Sequence, residues 1–161
     1  MNTRLTIGIL TVIVLLLGVF VFINIAGGNI PSFFSPLFQK TGKVTINKQT
    51  FTVFVAKTEK EKEIGLSGRN SIGDKQGMIF TFDKPDYYGF WMRNMKFSID
   101  IVYLNNKQIV SIFPNVPYPK DGTQELKIYT PTSPADTVVE FKAGTAEKNN
   151  FQVGDTATIS L

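Results

Sequence analysis

Two hydrophobic patterns divide the chain. An apolar run begins at Leu5 and ends at Ala26, and its 22 residues carry no charge. As a helix, this run would span about 33 Å, which matches the hydrocarbon core of a bilayer at about 30 Å. From Lys43 onward, short runs instead alternate apolar with polar residues, and this period of two is typical of β-strands with one buried face. The patterns predict a single N-terminal transmembrane helix followed by a mostly β domain.

The apolar run is too long for the hydrophobic region of a secretory signal peptide, which covers about 7 to 15 residues. Its last three residues also fit a cleavage site poorly. We therefore interpret residues 1–26 as an uncleaved membrane anchor, with a cleaved signal as the alternative. Arg4 favours a cytoplasmic N-terminus, although Lys40 and Lys43 beyond the run weaken the charge difference. We expect a single-pass protein of the cell membrane with an extracytoplasmic C-terminal domain.

Residues 27–42 are expected to form a linker, because two adjacent glycines and two prolines interrupt them. The linker also contains four large apolar residues, which are Phe33, Phe34, Leu37 and Phe38. These side chains either lie at the outer membrane interface or pack on the following domain, and the sequence favours neither arrangement.

The β domain, residues 43–161, begins with a predicted hairpin. Residues 44–46 and 50–56 are rich in β-branched and aromatic side chains, and a short turn starting at Asn47 separates them. Thr58 and Glu61 are spaced to form a capping box, so a helix is expected to begin there and to end near Ser67. This helix has few apolar residues, which indicates a lid or brace on a sheet rather than a core helix.

The rest of the domain is predicted as short strands separated by turns. Strands are expected over residues 77–82, 88–94, 98–104, 108–113, 137–142 and 156–161. A turn is expected at residues 83–86, and one helical turn at residues 145–149, ended by Asn150 in the left-handed conformation. Many short strands with frequent turn residues are typical of barrels. The predicted fold is a compact, barrel-like, mostly β domain with one or two short helices.

An unusual mixture of side chains lies between residues 88 and 100. It includes Trp91, the only tryptophan of the chain. In a strand, Trp91 and Arg93 share one face, where Gly89 leaves space for a ligand to approach. The opposite face carries Tyr88, Phe90, Met92 and Asn94. Neither face is polar throughout, so one of them is expected to enter the core.

Asp100 lies in the next predicted strand, where it is expected to be half-buried. A carboxylate in that position needs a partner or becomes neutral. We weigh a structural ion pair with Arg69 or Arg93 against a polar cluster on the floor of a ligand groove. Glu140, in a later strand, has the same two interpretations. The ligand-binding candidates are Arg69, Tyr88, Trp91, Met92, Arg93, Asn94, Asp100 and Glu140.

The same stretch carries a resemblance to a known family. Its residues are Gly65-Leu66, Arg69, Gly77-Met78, Phe80, Phe90-Trp91-Met92, Asn94 and Asp100, followed by Tyr129, Pro134-Ala135, Glu140, Ala143-Gly144 and Gly154-Asp155. From Lys43 to Leu161 the chain resembles the prokaryotic family named domain of unknown function 192. The resemblance implies a compact, mostly β domain, often exported or membrane-anchored, with no established activity. The chain departs from the family pattern at Met95, Ser98 and Asn150, where threonine, proline and glycine are usual.

Composition removes several classes of function. The chain has no histidine and no cysteine, which excludes Ser-His-Asp and Cys-His catalysis and zinc sites built from imidazole or thiolate. A net charge of +4 is too small to indicate nucleic-acid binding. Lys84 and Pro85 between Asp83 and Asp86 argue against a calcium loop. We therefore expect no metal, no cofactor and no nucleic-acid partner.

The favoured function is a binding module of the cell envelope. Side chains around Trp91 would hold a glycan, a peptide or another envelope protein. The alternative is a glycan-acting hydrolase in which Asp100 and either Glu140 or Asp86 act as general acid and base. A scaffold for another membrane protein is a third class. Two acids that converge in an open cleft would favour the hydrolase, whereas a sealed Asp100 would argue against it.

Overall fold

Seven strands form one continuous, curled sheet that makes up most of the domain. The computed structural model describes residues 40–120 and 127–161. The anchor predicted for residues 5–26 and most of the predicted linker lie outside these ranges. Among the described residues, no helix is long and apolar enough to cross a bilayer. The prediction of a mostly β fold with one or two short helices is confirmed, since the described residues form two.

The strands are β1 (Thr41–Ile46), β2 (Gln49–Ala56), β3 (Gln76–Asp86), β4 (Ile99–Asn105), β5 (Gln108–Val116), β6 (Ala135–Lys142) and β7 (Ala157–Ser160). The helices are α1 (Glu59–Ile64), between β2 and β3, and α2 (Thr145–Lys148), between β6 and β7. Across the sheet the order is β5-β4-β6-β3-β2-β1-β7. Strands β2 and β3 are parallel, and the other neighbouring pairs are antiparallel.

The two outer strands of the sheet meet at one end. Gln108, at the start of β5, forms a bridge with Thr156, just before β7. Next to this bridge, the amide of Ile109 donates to the carbonyl of Asp155 at 2.8 Å. On its other edge β7 pairs with β1 over four residues. The sheet is therefore a half-barrel, as the strand pattern predicts.

The hairpin of β1 and β2 ends in a turn with an unusual backbone. Its two central residues, Asn47 and Lys48, have φ angles of 50° and 65°. The turn between β4 and β5 repeats this arrangement, with φ of 48° at Asn106 and 68° at Lys107. Positive φ at both positions of a two-residue loop is characteristic of type I′ turns, whose twist matches that of the strands. The predicted hairpin is confirmed.

The capping box predicted at the start of α1 is also confirmed. The amide of Glu61 donates to Thr58 Oγ1 at 3.2 Å, and the amide of Thr58 donates to Glu61 Oε2 at 2.8 Å. The helix ends earlier than predicted, because Gly65 with a φ of 52° follows Ile64 directly.

Apolar side chains form two cores, one on each face of the sheet. The inner core lies inside the curl and takes residues from all seven strands. The outer core lies on the opposite face, where the segments after α1 and β3 cover β2, β3, β4 and β6. Because successive side chains of a strand point to opposite faces, β4 contributes to both cores. Residues 99–104 of β4 are therefore all buried.

The turn predicted at residues 83–86 is wrong, because β3 continues through it to Asp86. Its pairing with β6 shifts register between Thr81 and Asp86. Such an irregularity leaves residues out of the hydrogen-bond ladder, and it accommodates Pro85, which has no amide to donate.

The strand predicted over residues 88–94 is also wrong. After β3 the chain leaves the sheet as a loop, and a single bridge joins Phe90 to Tyr129. Asn94 has a φ of 56°, which a strand does not allow. Met92 and Met95 are buried in the outer core, so contacts with the sheet surface determine the loop's path more than its own alternation does.

Asp100 lies on the inner face of β4 and is fully buried rather than half-buried as predicted. Its carboxylate accepts three backbone hydrogen bonds, from the amides of Asn115 at 2.7 Å, Gly144 at 3.1 Å and Ala146 at 2.7 Å. Gly144 precedes α2 and has no side chain to cap that helix. Asp100 therefore caps α2 from a neighbouring strand, and it ties the end of β5 to the same point.

Replacing Asp100 with asparagine should lower the free energy of unfolding by about 3 kcal/mol or more, as measured by urea denaturation. Asparagine turns an NH2 donor toward amides that also donate, and each hydrogen bond to a charged acceptor contributes about 1.5–3 kcal/mol. Asp83→Asn, at an exposed position, is the matched control and should change little. Equal losses in the two variants would show that the three amide contacts contribute nothing.

Candidate functional site

A cleft of about 260 Å³ opens on the outer face of the sheet. Its lining comes from four separate parts of the chain. These are α1 with the residues that follow it, β3, the loop after β3, and β6. The curled sheet brings these segments together, so the cleft exists only in the folded domain.

Glu140 is the buried acid of this cleft, with an exposed fraction of 5%. Its neighbours across the sheet are Met78 on β3 and Ile101 on β4, both apolar. Among the residues that the structure describes, none forms a hydrogen bond with Oε2 of Glu140. Burial raises the pKa of Glu140 to about 8, because a charge is poorly solvated there. At pH 7 the side chain is therefore mostly a neutral carboxylic acid.

Tyr103 lies close enough to respond to the charge of Glu140. Burial is the main cause that raises the pKa of Tyr103, and a negative charge on Glu140 raises this pKa further. The hydroxyl of Tyr103 donates to the carbonyl of Tyr129 at 2.6 Å. Tyr103 thus stays neutral near pH 7 and uses its proton to hold the loop around Tyr129.

Glu140 and Asp100 lie on opposite faces of the sheet. In the pairing of β4 with β6, Glu140 is opposite Ile101 and Asp100 is opposite Phe141. Because neighbouring positions along a strand point to opposite faces, the two carboxylates share no cleft. The alternative of a glycan-acting hydrolase that uses Asp100 with Glu140 therefore lacks the shared cleft that it requires. Asp86, the other acid suggested for such a pair, accepts from the amide of Tyr87 and does not line the cleft.

The two arginines of the domain lie against aromatic rings. Arg69 Cζ is 4.4 Å from the centroid of the Phe54 ring, and burial lowers the pKa of this arginine. Arg93 Cζ is 5.1 Å from the centroid of Trp91. The predicted ion pair of Asp100 with either arginine is wrong, since in the described ranges this carboxylate is bound by backbone amides.

Aromatic rings fix the shape of the cleft. Phe82 and Tyr88 stack with centroids 3.6 Å apart and planes inclined by 12°. Phe90 packs edge-on against Phe80, with centroids 4.9 Å apart. Trp91 is 40% exposed and lies at the rim. Because these rings pack on one another, the cleft is formed without a ligand.

Helix α1 places charged side chains at the mouth of the cleft, which are Glu59, Lys62 and Glu63. Lys62 Nζ lies 3.0 Å from Glu59 Oε1 and 4.7 Å from the centroid of the Phe82 ring. None of the residues of α1 is buried. The helix thus lies beside the cleft with exposed polar residues, and its predicted role as a lid or brace stays a prediction.

The structure brings together some of the predicted site residues and separates others. Tyr88, Trp91 and Glu140 line the cleft. Arg93 and Asn94 line a neighbouring shallow groove that shares Trp91. The remaining candidates, Arg69, Met92 and Asp100, do not line either of these surfaces.

Sequence reasoning missed several residues of the cleft, including Phe80, Phe82, Phe90 and Met95. The interpretation of α1 as a lid could have found the two residues of β3, because a polar helix over a sheet needs apolar strand residues beneath it. The space predicted beside Gly89 is occupied, since a β-carbon there would lie 2.6 Å from Cγ2 of Ile128. Within residues 40–120 and 127–161, no three acidic side chains are placed to hold a metal ion.

Comparisons with known proteins agree with this fold. Residues 42–159 match the model of the DUF192 family, described as an uncharacterized ACR. A crystal structure of a protein of unknown function from Novosphingobium aromaticivorans is 27% identical, with a TM-score of 0.63 over 74% of this chain and 84% of that one. A candidate transcription regulator from Sinorhizobium meliloti is 24% identical, with a TM-score of 0.66 over 75% and 95% of the two chains, and it supports the fold alone. No curated protein matches the chain.

The stability of the protein should fall as the pH rises from about 4.5 to about 8, in part because of Glu140. In that window the folded state keeps a proton that the unfolded state has lost, since the pKa of Glu140 is raised from 4.5 to about 8. One such group contributes a slope of about −1.4 kcal/mol per pH unit. Urea denaturation at pH 5, 6.5 and 8 should therefore show a flatter dependence for Glu140→Gln than for the parent.

Glu147→Gln is the matched control for this measurement. Glu147 lies on α2 and is exposed, so its substitution should leave the pH dependence as it is in the parent. A Glu140→Gln variant whose stability declines as steeply as that of the parent would show that Glu140 is ionised in the folded state at neutral pH.

Proposed function

The chain belongs to the DUF192 family, and from that premise we propose that its β domain is a binding module whose ligand enters the cleft above Glu140. The ligand is a small molecule or one side chain of a larger partner, because the cleft of about 260 Å³ is slightly smaller than the pockets of about 300–1,000 Å³ that hold drug-sized ligands. A glycan, a peptide or an envelope protein could each supply such a group.

One observation carries this proposal, namely the buried Oε2 atom of Glu140, which has no hydrogen-bond partner among the described residues and lies in an aromatic cleft. A buried polar group without a hydrogen bond costs about 1–3 kcal/mol of stability. A ligand that forms the missing hydrogen bond would offset that cost. The apolar rings around the acid exclude water, so a polar contact made there is stronger than one made at the surface.

The sheet supports the binding function by holding the cleft rigidly. Glu140 lies on β6, between β3 and β4, and these neighbours on both edges of the strand restrict its movement. Trp91 lies on a loop tied to the domain by the bridge from Phe90 to Tyr129. A fixed acid beside an exposed aromatic side chain is the arrangement expected of a preformed binding site.

We further propose that the domain is held outside the cell membrane by the apolar run from Leu5 to Ala26. The length of this run supports the proposal, since 22 uncharged residues span a bilayer as a helix. In this arrangement the mouth of the cleft faces the envelope space, and its partner is an envelope component.

Trp91→Ala should weaken ligand binding at least tenfold without unfolding the domain. The indole is 40% exposed, so its loss should cost less than the about 3–5 kcal/mol typical of a buried aromatic side chain. The measurement is a fragment screen by ligand-observed NMR on the full chain in non-ionic detergent, followed by thermal unfolding of each variant. Tyr118→Ala is the control, because Tyr118 is 37% exposed and does not line the cleft. Fragments that bind both variants equally well would place the binding site elsewhere.

The full chain should sediment with membranes and resist extraction with carbonate at high pH. Protease added outside intact spheroplasts should digest the β domain. Leu16→Arg places a charge near the middle of the apolar run, which costs about 2.5–3.5 kcal/mol of insertion free energy, and it should reduce the membrane fraction. Leu161→Arg, which lies outside that run in the sequence, is the control. A parent protein found only in the soluble fraction would contradict both the anchor and the proposed location.

A further inference from the structure

The charges around the cleft are predominantly acidic. Glu59, Glu63 and Glu140 line it together with one base, Lys62. The ammonium of Lys62 already pairs with Glu59 at 3.0 Å. Glu63, and Glu140 when it is ionised, therefore have no countercharge within the lining of the cleft, and the site electrostatically favours a positively charged ligand.

The aromatic rings of the cleft already bind cations from the protein itself. Lys62 Nζ is 4.7 Å from the centroid of Phe82, and Arg93 Cζ is 5.1 Å from the centroid of Trp91. Cations within about 6 Å of a ring centroid are attracted by the negative face of the ring. The cleft is thus a surface that attracts cations, and a ligand cation at these two rings would take the place of Lys62 or Arg93.

The burial and the unsatisfied hydrogen-bonding capacity of Glu140 are a second indication of a ligand. Glu140 is 95% buried, since its exposed fraction is 5%, and its Oε2 atom has no partner among the described residues. A carboxylate in an apolar site pairs most favourably with a group that donates hydrogen bonds and also carries a positive charge. An alkylammonium group provides both.

Resting on the proposed binding function, we propose that the ligand is an organic ammonium ion, whose alkyl part packs against Phe80, Phe82 and Phe90 while its charge pairs with Glu140. The ligand is identified by this chemistry alone. A primary ammonium, such as that of a lysine side chain, and a quaternary ammonium, such as that of a lipid headgroup, both carry it. They differ in that only the primary ammonium donates hydrogen bonds.

Binding of the cation should release the proton of Glu140. The charged or titratable groups that share the cleft with Glu140 are Glu59, Lys62 and Glu63 from α1 and Tyr88 from the loop. Tyr103 on β4 responds to its charge, whereas its strand neighbour Met78 carries no charge. With the pKa of Glu140 at about 8, the ionised fraction rises from about one tenth at pH 7 to about nine tenths at pH 9. The affinity for a cation should rise about tenfold over the same range, because only the ionised form is competent to pair with it.

Trp91 is the chain's only tryptophan, so its fluorescence reports directly on the cleft. The full chain in non-ionic detergent is titrated with n-butylammonium chloride, tetramethylammonium chloride and N-methylacetamide, with sodium chloride keeping the ionic strength constant. The inference predicts that n-butylammonium, which stays charged at both pH values, binds about tenfold more tightly at pH 9 than at pH 7. Calorimetry in buffers of different ionisation enthalpy should show that close to one proton is released per ligand bound at pH 7.

Variants connect these readouts to Glu140. Glu140→Gln should abolish the pH dependence and weaken n-butylammonium at least tenfold at pH 9, whereas the exposed Glu147→Gln should bind as the parent does. Stronger binding of tetramethylammonium than of n-butylammonium would assign the site to quaternary ligands, and it would contradict the argument that the missing hydrogen bond of Glu140 Oε2 drives binding. If N-methylacetamide binds and weakens above pH 8 while neither cation binds, the ammonium inference is overturned and the binding module stands. If no probe binds and fragments found by screening lie elsewhere on the domain, both proposals fail.

Discussion

The pairing of β4 with β6, two strands that each have a neighbour on both edges, is the constraint on which the rest of the domain depends. Both strands are buried on their two faces, so the carboxyl group of each acid in them must be stabilised by other groups of the protein rather than by water. Asp100 points into the curl, where three backbone amides satisfy its carboxylate. Glu140 points outward, where Met78 and Ile101 leave it without a hydrogen bond on Oε2. The register of this strand pair thus places Asp100 where it caps α2 and Glu140 where it lines the cleft.

Much of the fold could be predicted from the sequence, because its signals are local. The turn at Asn47 and Lys48 tolerates positive φ, and the capping box of Thr58 and Glu61 depends on a spacing of three residues. The parts of the fold that could not be predicted depend on contacts between residues far apart in the sequence. The path of the loop after β3 depends on the bridge from Phe90 to Tyr129 and on the burial of Met92. Alternation within the loop carries no information about either contact.

The candidate site shows a sharper limit of sequence reasoning. Asp100 and Glu140 both lie between apolar residues in buried strands, so their local sequences are alike. Only the pairing of the strands places one acid beside amides and the other beside aromatic rings. Sequence reasoning named Glu140 and Trp91 as site residues, but it placed Asp100 in the same site. The reason is that the absence of histidine and cysteine left carboxylates as the candidates for acid–base chemistry. In the folded domain Glu140 lines the cleft without Asp100.

The pairing of β1 with β7 also sets the order in which the domain can be completed. Val44 on β1 is paired with Phe51 on one side and with Ile159 on the other. During synthesis the first partner emerges almost at once, whereas the second emerges more than a hundred residues later. The edge of β1 and the inner core around it therefore stay open to other chains for nearly the whole of translation. A nascent domain of this design depends on rapid completion, or on a chaperone that covers this edge, to avoid pairing with a neighbour.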